Sequence, residues 1–351
     1  MSAWAYQDVL ELSCRQKWAE TEESVSFELA SKEESAFHFK PGQSATLGFE
    51  LPEGVAFRAY SISSMPQQNF LRFTVKRVVG GKVSNHIVDA LSVGDTVSVL
   101  QPQGAFNSVD CAPKRKVTLI SAGCGVTPVM AMAQQWLRQG DIEIDFIHVA
   151  KSVSDTIYYA ELQQLAQCYP QFHLKLLLKE TKGSSHQQGR LSQAWLVRLC
   201  PDIAERSVYL CGPVGFMQDV KSYLQQLNFD MAHFFEESFT PSVYESEVSH
   251  HKQESSDQDE IEPQEVTVST PAFASSVTVK KGSLLLDALE KGNVPMIAAC
   301  RSGICGSCKC KVKVGMVERL STETLSAQEI EQGYALACSS RLVSDVEISL
   351  N

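Results

Sequence analysis

Between about residue 10 and residue 107 the apolar and polar positions alternate in short runs broken by turns, at 24–30, 43–49, 57–63, 70–78 and 95–100. A period of two turns one face of each run toward a core, and several such runs in series predict an antiparallel barrel. From about residue 114 the rhythm changes. Apolar strands at 116–121, 142–150, 172–179 and 207–211 alternate with helical patterns at 128–138, 158–167, 191–199 and 214–227. That alternation predicts a parallel sheet covered on both faces. Residues 240–265 lose periodicity, and residues 266–351 resume short strands around a helix expected to be capped by Ser283 and ended by Gly292, with a hairpin around Gly282. The expected organisation is multidomain: an antiparallel β-barrel over 1–110, an α/β parallel-sheet domain over 111–239, a linker over 240–265 and an α+β domain over 266–351.

Charge sharpens the third boundary. The 351-residue chain carries a formal net charge of −10, and residues 245–265 hold eight acids (Glu245, Glu247, Glu254, Asp257, Asp259, Glu260, Glu262 and Glu265) against Lys252. A polar segment of that kind cannot bury a core, so it reads as a flexible, acidic linker. As a coil it would span about 25 to 30 Å, more with self-repulsion. The net charge argues against nucleic acid and anionic membrane surfaces as partners. Eleven cysteines, an odd number with five crowded near the C-terminus, point to reduced thiols rather than disulfides. No apolar N-terminal stretch or membrane-length run is present in the sequence, and the expected location is cytoplasmic.

The crowded cysteines carry the most specific chemistry. Cys300, Cys305 and Cys308 follow C-x4-C-x2-C, and Cys338 stands apart, which is the plant-type [2Fe-2S] ligand pattern. Gly303 and Gly306 allow the loop to wrap and aim amide N–H groups at sulfur. A zinc site is the competing reading, but zinc favours paired C-x2-C knuckles. Cys310 fits no ligand slot and is expected to be a small buried residue on the strand leaving the loop. Ser326 to Glu329 reads as a capping box, with Gly333 as the helix stop.

Weaker signals lie in the first two domains. Alternation places Arg58 and Tyr60 on one strand face, where a guanidinium can hold a phosphate, a ring can stack on a planar cofactor, and the Ser61 hydroxyl can hydrogen-bond a ring nitrogen. Gly80-Gly81-Lys82-Val83-Ser84 offers a turn and a hydroxyl at a helix start, suited to a pyrophosphate or simply to a hairpin. Gly123-Cys124-Gly125-Val126-Thr127-Pro128 follows an apolar strand and opens a helix, with unpaired N–H groups at its start. Cys211-Gly212-Pro213 ends another parallel strand, at the edge where open α/β sheets bind ligands. Each of these has a plain structural explanation when taken alone.

Together and in this order, the motifs resemble the ferredoxin-NADP reductase superfamily, and the chain order resembles members with a C-terminal ferredoxin domain. Within that superfamily the resemblance runs to NADH-dependent reductases of hybrid-cluster proteins. It rests on Arg58-Ala59-Tyr60-Ser61-Ile62-Ser63-Ser64, Ala122 to Pro128, Phe234-Phe235-Glu236-Glu237-Ser238-Phe239 and Ala298-Ala299-Cys300-Arg301. It implies a flavin-binding barrel, a nicotinamide-nucleotide domain and a β-grasp [2Fe-2S] domain. It further implies that Arg58, Tyr60 and Ser61 bind FAD, with Ser61 near flavin N5, and that Gly81 and Ser84 hold its pyrophosphate. Gly123, Gly125, Thr127 and Pro128 would form the nicotinamide-nucleotide loop, Cys211-Gly212-Pro213 would set the cysteine beside the nicotinamide, and Glu237 and Phe239 would lie near the flavin.

The implied activity passes electrons from NADH through FAD and the cluster to a separate acceptor protein. Ser61, Thr127 and Cys211 are expected to position and tune rather than react covalently. A hybrid-cluster protein is the acceptor the resemblance favours, an oxygenase component the alternative, and a redox-sensing protein without turnover a third reading. NADH is preferred over NADPH because Lys151 to Asp155, after the strand ending at Ala150, contains no arginine to clamp a 2'-phosphate.

Overall fold

The computed structural model describes residues 9–32, 35–52, 54–239, 265–296, 298, 303, 306–322 and 324–350, which fall into two compact units divided after Phe239. The linker expected over 240–265 lies outside the described residues except for Glu265, which begins a strand.

The first unit opens with β1 (Val9–Thr21), β2 (Ser24–Ala30), β3 (Ser44–Leu51), β4 (Gly54–Ser61) and β5 (Leu71–Lys76), followed by α1 (Lys82–Asp89) and β6 (Thr96–Leu100). The sheet order is β4-β3-β6-β1-β2-β5, and an antiparallel bridge between Ile62 and Phe73 brings its two edges together. Phe27, Leu29, Leu47, Phe73, Val97 and Val99 fill the interior without exposure. The alternation that predicted a barrel is therefore real, but the longest strand was not foreseen. β1 runs 13 residues, with register shifts near Cys14 and Ala19 that blur its period.

The same unit continues with β7 (Lys116–Ala122), α2 (Val126–Gln139), β8 (Glu143–Ala150), α3 (Tyr159–Cys168), β9 (Phe172–Leu178), β10 (Gln187–Gln188), α4 (Gln193–Leu199), β11 (Ser207–Gly212), α5 (Val214–Gln226) and β12 (Phe234–Ser238). The strands form one parallel sheet in the order β10-β9-β8-β7-β11-β12. Side chains of β7 divide between two cores: Val117 and Leu119 pack with Trp136 and Tyr209, whereas Ile120 packs with Val208 and Leu210. Burial on both faces explains the near-continuous apolar character of these strands. β12 is a further departure from expectation, since the segment carrying Glu237 extends the sheet as an edge strand.

The second unit comprises β13 (Glu265–Thr270), β14 (Ser275–Lys280), α6 (Leu285–Lys291), β15 (Lys309–Val314), β16 (Val317–Arg319), α7 (Ala327–Glu331), β17 (Tyr334–Leu336), β18 (Ser340–Leu342) and β19 (Val346–Leu350). Its main sheet is ordered β14-β13-β19-β15-β17, with β13 and β19 parallel and β16 pairing β18 separately. Leu285, Leu286 and Leu289 of α6 pack into its core with Val268, Leu336 and Ile348. This is a β-grasp. The Ser326 capping box forms as expected, with Glu329 returning the bond to the Ser326 N–H. Two local expectations are corrected. The hairpin turns at 271–274, where Ala274 adopts a left-handed conformation, while Gly282 (φ +86°) lies in the turn before α6. The residue capping α6 is Leu284, without a side-chain bond, and Ser283 stands one residue before it, its N–H closing a turn onto Lys280.

Among the described residues no helix is long and apolar enough to cross a membrane, and no disulfide joins any cysteine pair.

Candidate functional site

The first unit contains a cavity of about 400 Å³ where the barrel meets the nucleotide loop. Its wall gathers Arg58, Tyr60 and Ser61 from β4, Gly81 and Ser84 from the start of α1, Thr127 from α2, and Phe239. Seven of the residues singled out from sequence thus share one wall, although they come from four separate stretches of chain. Arg58 is exposed and donates to the Phe57 carbonyl at 2.7 Å. Burial pushes the Tyr60 hydroxyl well above the usual phenol range, with Arg58 pulling the other way, so it stays neutral. Ser61 is 5% exposed, and its Oγ has no hydrogen-bond partner among the described residues. An orphaned hydroxyl on a cavity wall fits a bound polar ring system that supplies the missing partner. Gly81 caps α1 without a side chain, and a Cβ there would lie 2.5 Å from Ser84 Oγ. Ser84 Oγ in turn accepts from the Val78 N–H at 3.3 Å.

The remaining predicted residues cluster behind this wall. Gly123 (φ +55°) and Gly125 form a single 3-10 turn that leads into α2. Thr127 donates to the Cys124 carbonyl at 3.0 Å, and Pro128 sits in the first helical turn. A Cβ on Gly125 would lie 2.1 Å from the Cys211 carbonyl oxygen, so the loop rests directly on the Cys211–Gly212 backbone. Pro213 caps α5. Strand registers line up His148, Ser121, Cys211 and Glu237 across β8, β7, β11 and β12. Cys211 is fully buried; burial first, then the negative charge of Glu237, drives its thiol well above the usual range and keeps it protonated. His148 donates or accepts at Ser121 Oγ across 2.8 Å, and burial lowers its pKa to about 4.

Sequence reading missed Cys124, Thr74 and Lys76 on the cavity wall. The signal for the last two was available: with Leu71, Phe73 and Val75 filling the barrel, alternation turns Thr74 and Lys76 outward.

In the second unit, the Sγ atoms of Cys308 and Cys338 lie 3.1 Å apart, both buried. The Gly303 N–H points at Cys338 Sγ at 3.2 Å, and the Cys338 N–H at Cys308 Sγ at 3.5 Å. Two adjoining sulfurs with amide donors turned on them suit a pair of cluster thiolates. Cys300 and Cys305 lie outside the described residues. Cys310 is buried on β15, its thiol raised to about 12 by burial and then by neighbouring Cys308.

Comparisons with known proteins find three family matches in the chain. Residues 10–108 match the oxidoreductase FAD-binding domain, 119–222 the oxidoreductase NAD-binding domain, and 274–343 the 2Fe-2S iron-sulfur cluster binding domain. The chain is 34% identical over 321 residues to the glycine betaine monooxygenase reductase subunit of Pseudomonas aeruginosa, covering 89% of this chain and 87% of that protein. It is also 34% identical over 297 residues to the NADH oxidoreductase HCR of Escherichia coli, covering 83% of each. Phthalate dioxygenase reductase shares the fold, with a TM-score of 0.61 at 22% identity over 97% of this chain and 98% of that one. The chain belongs to the ferredoxin-NADP reductase-like family of oxidoreductases that carry FAD-binding, NAD-binding and 2Fe-2S domains.

Proposed function

We propose that this protein is an NADH-dependent reductase that passes electrons through FAD and a [2Fe-2S] cluster to an acceptor protein, working in the cytoplasm. The observation that carries the reading is the cavity wall that unites Arg58, Tyr60 and Ser61 of the barrel with Thr127 of the nucleotide loop. FAD, when bound, converts a two-electron donor into a source of single electrons. The chain contributes position and polarity. Arg58 and the α1 start offer phosphate contacts, Tyr60 a ring face, and Ser61 a hydroxyl for a ring nitrogen. Gly125 lets the nucleotide loop approach Cys211, whose buried thiol stays neutral and is not a nucleophile. Cys300, Cys305, Cys308 and Cys338 are the proposed cluster ligands. The proposed boundaries remain 1–110, 111–239, 240–265 and 266–351.

For the acceptor we favour an oxygenase component, because the glycine betaine monooxygenase reductase subunit aligns over 89% of the chain and the NADH oxidoreductase HCR over 83%. A hybrid-cluster protein is the second reading, supported by the 34% identity to HCR.

An anaerobic NADH titration, followed by visible absorbance and electron paramagnetic resonance on the same samples, tests the core proposal. Loss of flavin absorbance with appearance of the reduced-cluster signal is expected. A flavin that NADH does not bleach would overturn it. Steady NADH oxidation with ferricyanide would exclude a sensing role without turnover. Reduction rates with a purified oxygenase component and a purified hybrid-cluster protein would separate the two acceptors.

A further inference from the structure

An unbroken chain of hydroxyl groups runs across the outer face of the barrel, from the cavity wall to a carboxylate. Thr74 lines the cavity. Its Oγ1 bonds the Tyr158 hydroxyl on one side and lies 2.6 Å from Ser26 Oγ on the other. Ser26 lies 2.6 Å from Glu20 Oε1, which also accepts from Trp18 Nε1 at 2.7 Å. Strand register aligns Trp18, Ser26 and Thr74 across β1, β2 and β5. Thr74, Ser26 and Tyr158 are 4%, 0% and 2% exposed, whereas Glu20 is half-buried and reaches solvent.

The carboxylate fixes the direction of every bond. A carboxylate only accepts, so Ser26 donates to Glu20; Ser26 must then accept from Thr74, and Thr74 from Tyr158. All the protons point away from the cavity toward Glu20. Burial drives the Tyr158 phenol well above its usual range, so the chain stays neutral and intact.

We propose that Thr74, Ser26 and Glu20 form a proton-exit relay for the flavin cavity, with Tyr158 as the residue that orients Thr74. The proposal rests on the reductase reading above. When NADH is oxidised by two one-electron acceptors, the products are NAD⁺, two reduced acceptors and one proton. The acceptors carry off the electrons and leave that proton at the cavity. In the relay the proton that a bound reduced flavin would give up from an N–H bond would form an O–H bond on Thr74 as Thr74's own O–H breaks toward Ser26. The Ser26 O–H breaks in turn, and the proton arrives on the Glu20 carboxylate, which gives it to solvent. Tight packing at the barrel–nucleotide junction would by itself account for Tyr158 and Thr74, but not for a chain that continues over Ser26 to a half-exposed acid.

The test uses holoprotein whose flavin has been reduced by one equivalent of NADH under anaerobic conditions, then mixed with ferricyanide in H₂O and D₂O. Flavin re-oxidation is followed by absorbance and proton release by an indicator dye. In Ser26→Ala and Glu20→Gln, re-oxidation and proton release should slow by at least about tenfold relative to the bleaching step. Their solvent isotope effects should change, and Ser26→Thr, which keeps the hydroxyl, should restore both. In oxidised wild-type protein, without NADH, slowly exchanging hydroxyl protons of Ser26 and Thr74 should be visible by NMR and be lost in Ser26→Ala. Wild-type proton release and isotope effects in both broken variants would overturn the relay, as would failure of Ser26→Thr to restore them. Failure of NADH to bleach the wild-type flavin would instead overturn the reductase reading.

Discussion

Gly125 and Cys211, 86 residues apart in the chain, touch through their backbones: a single methyl group on Gly125 would stand 2.1 Å from the Cys211 carbonyl oxygen and 2.7 Å from the Gly212 nitrogen. Both obstacles are backbone, and neither can rotate away. Gly125→Ala should separate the nucleotide loop from Cys211, costing about 1 to 3 kcal/mol of stability. It should slow NADH-driven flavin bleaching at least about tenfold while FAD remains bound. Stopped-flow absorbance and flavin content check both parts, and normal bleaching would show that the loop has other room to move.

The thiol of Cys211 should act through its position. Cys211→Ala is expected to slow hydride transfer and leave flavin and cluster contents unchanged. Because burial and Glu237 hold the thiol protonated above its usual range, no thiol ionisation should appear in the bleaching rate between about pH 6 and pH 9. A rate step in that window that disappears in Cys211→Ala would contradict the assignment, as would a variant that bleaches normally.

Gly303 combines a left-handed backbone (φ +77°) with close neighbours, since a Cβ would fall 2.5 Å from Ser339 Oγ and 2.7 Å from Ser321 Cβ. Gly303→Ala should cost about 1 to 3 kcal/mol locally and withdraw the N–H that points at Cys338 Sγ. Iron content and the reduced-cluster resonance should fall, as they should in Cys338→Ser, while flavin content holds. Full cluster occupancy in both variants would remove Cys338 from the ligand set.

Away from the cavity, Arg206 is 3% exposed and joins Asp202 (2.8 Å), Glu143 (2.6 Å) and Asp145 (3.6 Å) beneath the parallel sheet. Arg206→Ala leaves Asp145 with Lys175 (2.5 Å) and Asp202 with Lys116 (2.9 Å), so the loss of its charge-assisted bonds should destabilise the first unit by about 1 to 3 kcal/mol. Asp202 is held well below the usual carboxylate range, chiefly by its bond to Arg206 and further by Lys116. A depressed acid lends stability above its unfolded pKa of about 3.9, and the contribution fades as pH falls toward the folded value. Asp202→Asn should therefore flatten the stability profile below about pH 4 and leave its shape at neutral pH alone. Denaturant midpoints across that range, read by flavin release, supply the measurement.

Local periodicity accounts for most of the architecture that could be read in advance. Strand and helix periods depend on neighbours within one or two turns, so residues 24–30 and 172–179 announce their strands without any partner. The C-x4-C-x2-C spacing is equally local, because three ligands share one loop; so is the Ser326 capping box, which closes within four residues. Where turn geometry or register shift intervened, local reading failed. Ser283 looks like a cap, but it stands one residue before the N-cap position that Leu284 takes, and the shifts along β1 break the alternation that would have revealed that strand.

What only the tertiary structure decided is which distant residues meet. The contact of Gly125 with Cys211 depends on β7 and β11 lying side by side, and the Cys211–Glu237 alignment depends on β12 joining the same sheet edge. The Glu20–Ser26–Thr74–Tyr158 chain is invisible along the sequence. Two of its bonds cross between strands or subdomains, at separations of 48 and 84 residues. Period is a property of the backbone of one segment, whereas register is set by how the cores of several segments pack, so a sequence read alone specifies the faces of its strands but not their neighbours.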